Sequence, residues 1–100
     1  MGKWATYQKR GGLTIPPVDA PVLRGTSDTE LAWEWSGGDP DHWNIYNGPG
    51  PTGPWVLFDF APGTDRSWAG GIASTWYVII GVDGSDNPVT PQSNAAQTLT

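Results

Sequence analysis

The residues best suited to acid–base chemistry stand together in one stretch of the sequence. His42 is the single histidine of the 100-residue chain, and Asp39 and Asp41 lie within three positions of it. A Ser-His-Asp relay also needs an exposed nucleophile, and nothing in the sequence distinguishes one serine for that role. The pairs Asp39/Asp41 and Asp59/Asp65 have the residue types of a glycosidase, but ten carboxylates make such proximity unsurprising. The sequence therefore predicts a protein that is not an enzyme, with His42 as a solvated turn residue.

The segment DGSDN spaces Asp83, Ser85 and Asn87 like the first half of a calcium-binding loop. That loop needs a glycine at its sixth position and a glutamate at its twelfth, where this sequence has Pro88 and Asn94. The chain also has no cysteine, which excludes thiolate ligands and disulfides. We therefore expect no metal and no cofactor. An Asx-type turn is the simpler interpretation of this loop, and a weak calcium site in a sandwich loop is the alternative.

The composition requires a core built from aromatic side chains. Only 18 residues are Leu, Ile, Val or Phe, whereas seven are tryptophan. Each buried aromatic side chain removes about 150–250 Å² from water, which suits the single modest core of a domain this small. The 14 glycines and 10 prolines recur between short apolar runs, a pattern typical of many short strands.

Alternation of apolar and polar residues predicts strands, and no segment keeps the 3.6-residue period of a helix. The predicted strands cover residues 20–26, 29–35, 42–47, 54–60, 66–70, 75–83 and 95–99. Together they predict an all-β fold, a seven-stranded antiparallel immunoglobulin-like β-sandwich.

The same alternation predicts which side chains point inward. In the strand at 54–60, Val56, Phe58 and Phe60 are expected to share one face. The predicted structural core comprises Leu31, Trp33, Trp35, Trp43, Ile45, Trp76, Val78 and Ile80.

Three other aromatic residues are candidates for ligand stacking. Trp55 ends the loop GPGPTGPW, and Trp68 lies in a short segment beside glycines. With Tyr46 they are the side chains that could be exposed, and exposed aromatic rings stack on sugars or on a protein partner. The alternative for Trp55 and Trp68 is that they cover the rim of the sheet.

The charge divides the chain into a basic N-terminal arm and an acidic body. We place the arm at residues 1–17 and the sandwich domain at 18–100; residues 1–18 carry a net charge of +3 and the remainder −8. An acidic body would repel phosphate, so we expect no nucleic-acid binding. The absence of an apolar run near ~20 residues predicts no membrane span.

Residues 1–12 interleave basic and aromatic side chains, and this pattern suits an anchoring peptide that orders on an acidic, partly apolar partner. A plain unstructured terminus is the alternative. The candidate partner-binding residues of the arm are Lys3, Trp4, Tyr7, Lys9 and Arg10.

Several motifs resemble the fibronectin type III family over roughly residues 18–99. LAWEWS resembles the second strand of that family, with Trp35 at the core tryptophan position, and HWNIY resembles the third, with Trp43 and Ile45 inward. WYVIIGVDGSDNPVTPQSN resembles the sixth strand and its following loop. The family's turn and corner tyrosine before the sixth strand are replaced by the shorter GIASTWY, so Trp76 or Tyr77 would take that place.

This resemblance implies a non-catalytic scaffold for adhesion, spacing or display. We expect a decoration or accessory protein of a bacteriophage virion, anchored through residues 1–12 to capsid or tail proteins. Since no secretion signal is recognisable, the expected location is the virion, after synthesis in the host cytoplasm, or otherwise the cytoplasm. The alternative is a carbohydrate-binding module that stacks cell-surface glycans on exposed Trp and Tyr residues, and a third interpretation is a spacer from a longer enzyme.

Overall fold

The computed structural model describes residues 20–100, so the predicted arm and its boundary with the body lie outside the described residues. This part of the chain is all-β, as the sequence predicts, and each predicted strand overlaps an observed one. The strands are β1 (Val22–Gly25), β2 (Leu31–Glu34), β3 (His42–Gly48), β4 (Val56–Pro62), β5 (Ser67–Trp68), β6 (Trp76–Val82) and β7 (Ala96–Gln97).

The strands form two antiparallel sheets that face each other across one core. One sheet has the order β1-β2-β5 and the other the order β4-β3-β6-β7. Leu31 and Trp33 of the smaller sheet share a buried cluster with Trp43, Ile45 and Tyr77 of the larger one. The inner face of each sheet is thus apolar at alternate positions, as the two-residue period of a strand requires.

Trp43 occupies the centre of this core and is completely buried. Its ring meets those of Trp33 and Trp35 edge to face, at centroid distances of 5.7 and 6.4 Å. Its Nε1 donates a hydrogen bond to the Gly63 carbonyl at 3.2 Å, and the Arg66 guanidinium lies 5.4 Å from the ring centroid. A single side chain thus joins the two sheets to the loop after β4, through aromatic and cation–π contacts.

Trp35 is only half-buried, and the expectation that it belongs to the interior is wrong in this respect. It follows the last residue of β2, so its ring packs against the edge of the core. Its Nε1 donates to the Gly38 carbonyl at 3.0 Å within the turn that begins there. Trp33 is the fully buried tryptophan of β2, and no hydrogen-bond partner for its Nε1 occurs in the described residues.

The inward face predicted for β6 is also wrong. The residues of β6 that join the core cluster are Tyr77 and Ile79, whereas Trp76 and Ile80 are half-buried on the opposite face. Val78 is buried, but it lies on that opposite face as well. The run WYVII is apolar on both faces, so its alternation could not decide which face points inward.

Tyr77 and a hydrogen bond between Trp68 and a carboxylate hold the two sheets together at one side of the sandwich. The Tyr77 hydroxyl accepts a hydrogen bond from the Ile72 backbone N–H at 2.8 Å, which fixes the corner before β6. Trp68 on β5 stacks edge to face with Tyr77 and donates its Nε1 to an Asp59 carboxylate oxygen at 2.9 Å. Because Asp59 is on β4, this bond ties an edge strand of one sheet to an edge strand of the other.

Replacing Trp43 should destabilise the fold more than replacing Trp35. We expect Trp43→Ala to lower the free energy of unfolding by about 3–5 kcal/mol, because it leaves a large cavity in the core. Trp35→Ala should cost about 1–2 kcal/mol, because part of its ring already contacts water. Urea denaturation followed by circular dichroism measures both values, and equal losses for the two variants would contradict the central role of Trp43.

Candidate functional site

The outer face of the four-stranded sheet carries a group of apolar side chains. Cross-strand pairing sets Tyr46 between Leu57 and Val78, and it sets Phe60 and Ile80 on either side of Asn44. Leu57 is 57% exposed and Phe60 is 65% exposed. We call this surface the outer aromatic face; it comprises Tyr46, Trp55, Leu57, Phe60, Trp76 and Ile80.

A glycine allows Trp55 to pack against β3 at one end of the outer aromatic face. Gly48 pairs with Trp76, and a Cβ atom at Gly48 would come within 2.8 Å of the Trp55 ring. Trp55 therefore packs directly on the backbone of β3. Tyr46 is two residues earlier on the same strand, so it projects from the same face.

A bulge in β4 places Phe60 on this surface. The register shifts between Ile45 and Tyr46, which pair with Asp59 and Leu57, so Phe58 has no direct partner. Phe58 turns toward the interior, where it meets the Trp68 and Tyr77 rings. The expectation that Val56, Phe58 and Phe60 share one face is therefore wrong, because a bulge breaks the two-residue alternation.

The other end of the outer aromatic face carries His42 between two carboxylates. Its Nδ1 lies 2.8 Å from an Asp41 oxygen, and its Nε2 lies 2.9 Å from an Asp86 oxygen. The ring also contacts Phe60 edge to face at a centroid distance of 5.8 Å. His42 is thus held in place, and the prediction of a simple solvated residue misses its link to the loop after β6.

The two carboxylates favour the protonated imidazole. The hydrogen bond to Asp41, followed by the bond and the charge of Asp86, raises the pKa of His42 above its ordinary value of 6.5, although partial desolvation opposes the shift. A neutral imidazole has one N–H, whereas two carboxylate partners require two donors. Protonation therefore completes both hydrogen bonds and holds the loop that contains Asp86 against β3.

The loop at 83–87 is an Asx-type turn, as the simpler interpretation of its sequence predicts. Asp83 Oδ1 accepts hydrogen bonds from the Asn87 and Ser85 backbone N–H groups, each at 2.9 Å, and these bonds lower the pKa of Asp83. Asp86 adopts a left-handed conformation with φ of 64°, which Asp tolerates better than most residues. Within residues 20–100, no group of three or more His, Asp or Glu side chains is arranged to hold a metal ion.

The candidate ligand-stacking residues separate in the structure. Tyr46 and Trp55 are half-buried on the outer aromatic face. Trp68 belongs to the buried core, with 8% exposure, so the expectation that it is available for stacking is wrong. The arm candidates Lys3, Trp4, Tyr7, Lys9 and Arg10 lie outside the described residues.

Leu57 and Phe60 are the surface residues that sequence reasoning missed. The run WVLFDF contains more apolar residues than one inward face can use. That excess is a signal for apolar side chains on both faces of a strand at the edge of its sheet. A large exposed apolar patch on a small domain usually marks an interaction surface.

Comparisons with known proteins found no relative of this chain. No family model, no curated protein and no solved structure matches it. Among residues 20–100, no helix is long and apolar enough to cross a membrane.

The His42 site should make stability depend on pH. A raised pKa in the folded state means that protonated His42 stabilises the fold fully below pH 6.5, and this contribution is lost as the pH rises through the folded-state pKa. NMR titration of the single imidazole should give a pKa above 6.5. Asp86→Asn should lower that pKa, whereas Asp28→Asn, in the turn between β1 and β2 and not among the contacts of the ring, should leave it unchanged. A His42 pKa at or below 6.5 in the parent protein would contradict the double contact.

Proposed function

We propose that this protein is a non-enzymatic structural or display module, built on a fibronectin type III-like, immunoglobulin-like sandwich. In the immunoglobulin sandwich the first, second and fifth strands share one sheet, and the third, sixth and seventh share the other. The same six strands are distributed in this way here, with β4 beside β3. The Tyr77 hydroxyl bond to the Ile72 N–H supports the same assignment, because a tyrosine at this corner is typical of such sandwiches.

The fold alone fixes no function, and the outer aromatic face is the observation that carries the proposal. None of its six residues is charged. Aromatic enrichment with depletion of charge is typical of the centre of a protein–protein interface. His42, the strongest catalytic candidate, has both ring nitrogens directed at carboxylates, which suits a structural role better than proton transfer.

The proposed partner is a larger protein assembly that residues 1–12 bind. The arm has three positive charges and two aromatic side chains, so a partner surface with acidic and apolar groups would complement it. Capsid or tail proteins of a bacteriophage virion are the proposed partners, and the virion is the proposed location. The sandwich would then project from the assembly as the displayed part.

Removal of residues 1–12 tests the anchor. Full-length and truncated protein are mixed with phage particles that lack this protein, and co-sedimentation is measured. We expect truncation to weaken binding at least about tenfold, or about 1.4 kcal/mol, because the basic and aromatic contacts are lost. A second variant keeps the length of the arm but replaces Lys3, Trp4, Tyr7, Lys9 and Arg10 with serine, and it should bind as weakly. Undiminished binding by both variants would rule out the anchor.

Glycan binding is the second candidate, and the neighbouring Tyr46 and Trp55 rings favour it. Both are partly accessible at the same end of the outer aromatic face, and sugar rings stack on such surfaces. Without Trp68, however, the face has fewer stacking rings than the sequence suggests. The aliphatic Leu57 and Ile80 beside them suit a protein surface better than a sugar.

A glycan array with the full-length protein tests this second candidate. If a glycan binds, Trp55→Ala should weaken its binding several-fold to about tenfold, because one stacking contact is lost. Val89→Ala is the matched control, because Val89 is an exposed apolar residue outside the outer aromatic face. Binding that resists both Trp55→Ala and Tyr46→Ala would contradict stacking at this face, and no response to any glycan would remove the candidate.

A further inference from the structure

The outer aromatic face has no cover among the described residues along β4, where Leu57 and Phe60 lie. Both side chains keep more than half of their surface in contact with water. A hydrophobic surface of this kind is costly to leave in water, and a segment that covers it would stabilise the protein. The position of residue 20 and the carboxylates near His42 indicate which segment could cover this surface.

The described chain begins close to the four-stranded sheet. Leu23 exchanges two hydrogen bonds with the Asn94 side chain, each at 2.8 Å. The segment that precedes Asn94 runs along β6, where the Ser93 N–H donates to the Ile79 carbonyl at 2.9 Å. Residue 20 therefore lies on the β6 side of the sheet, three residues before Leu23.

The preceding residues are long enough to cross the outer aromatic face. From the segment beside β6 to β4 is about three strand spacings, or about 15 Å. Nineteen residues precede Ala20, and even twelve extended residues span about 40 Å. A segment of the same chain also has a high effective concentration at this surface, so a weak contact is sufficient to hold it.

The charges at the His42 end complement the arm. Asp41 and Asp86 keep 59% and 70% of their side-chain surface exposed, and Asp83 lies in the same loop. The two arginines of residues 20–100 form ion pairs with other carboxylates. Arg66 Nη2 lies 2.7 Å from Asp39 Oδ1, and Arg24 Nη1 lies 3.9 Å from Glu34 Oε2. Three carboxylates outnumber the one positive charge that protonated His42 supplies, and the arm carries three basic residues and no acid, so its charge complements this end.

We propose that residues 1–12 bind across the outer aromatic face of their own chain. In the proposed contact, Leu57 and Phe60 supply the apolar surface, and Asp41 and Asp86 supply the negative charge. This contact does not require the assembly partner. It would compete with that partner for the same arm.

A spin label on the arm tests the contact. The chain has no cysteine, so Gly2→Cys gives one attachment site for a nitroxide. In isotope-labelled, spin-labelled full-length protein, we expect most of the NMR signal intensity of Leu57, Phe60 and Ile80 to be lost, and the reduced nitroxide should restore it. The loss should diminish in 1 M salt, where charges are screened beyond about 3 Å.

A pair of variants shows whether the apolar residues of the face cause this loss of signal. Leu57→Ser with Phe60→Ser should restore the signal of Ile80, because it removes the apolar contact from two exposed positions that do not support the core. Ile72→Ser is the control, since Ile72 is comparably exposed in the loop between β5 and β6, and it should restore nothing.

A mixture of molecules that carry only the isotope label with molecules that carry only the spin label distinguishes a molecule's own arm from the arm of a second copy. If the signal is also lost in this mixture, the arm of a second copy binds the face and the proposal is overturned. If the outer aromatic face keeps its signal in every sample, the contact does not form and the proposal is likewise overturned. Since no phage particle is present, either outcome is independent of the co-sedimentation that tests the anchor.

Discussion

The edge-to-face packing of Trp33 and Trp35 on Trp43 is the interaction on which the rest of the structure depends. With so few aliphatic residues, the two sheets need large rings to fill the space between them. Trp43 meets this need from one position on β3 and also fixes the loop after β4 through Gly63. Because β3 lies at the centre of its sheet, its inward tryptophan determines which of its residues, including Tyr46, must face outward.

The sequence was sufficient to predict the class of the fold and the approximate strands, because alternation and turn residues are local signals. It was insufficient where a strand is apolar on both faces. In β6 the choice between Tyr77 and Val78 as the inward residue depends on what the opposite sheet offers. In β4 the bulge at Phe58 depends on pairing with β3. Both are properties of tertiary contact, which no single segment encodes.

The sequence could predict that the candidate site consists of exposed aromatic residues, but it predicted less well which residues these are. Tyr46 and Trp55 could be identified as partly accessible aromatic residues because they flank a long glycine- and proline-rich loop. Trp68 lies beside glycines too, yet its bond to Asp59 and its contact with Tyr77 draw it into the interior. The contact of His42 with Asp86 joins residues 44 positions apart, so it becomes visible only once β3 and β6 are paired.

The irregular edge at β4 affects how many copies can coexist side by side. A straight, apolar outermost strand invites a neighbouring molecule to extend the sheet, and natural proteins discourage this with bulges and charges. Here the register breaks at Phe58, and the Phe60 N–H is already taken by an Asp59 carboxylate oxygen at 2.8 Å. Many copies of this domain at high concentration could thus expose apolar side chains without pairing edge to edge into fibrils.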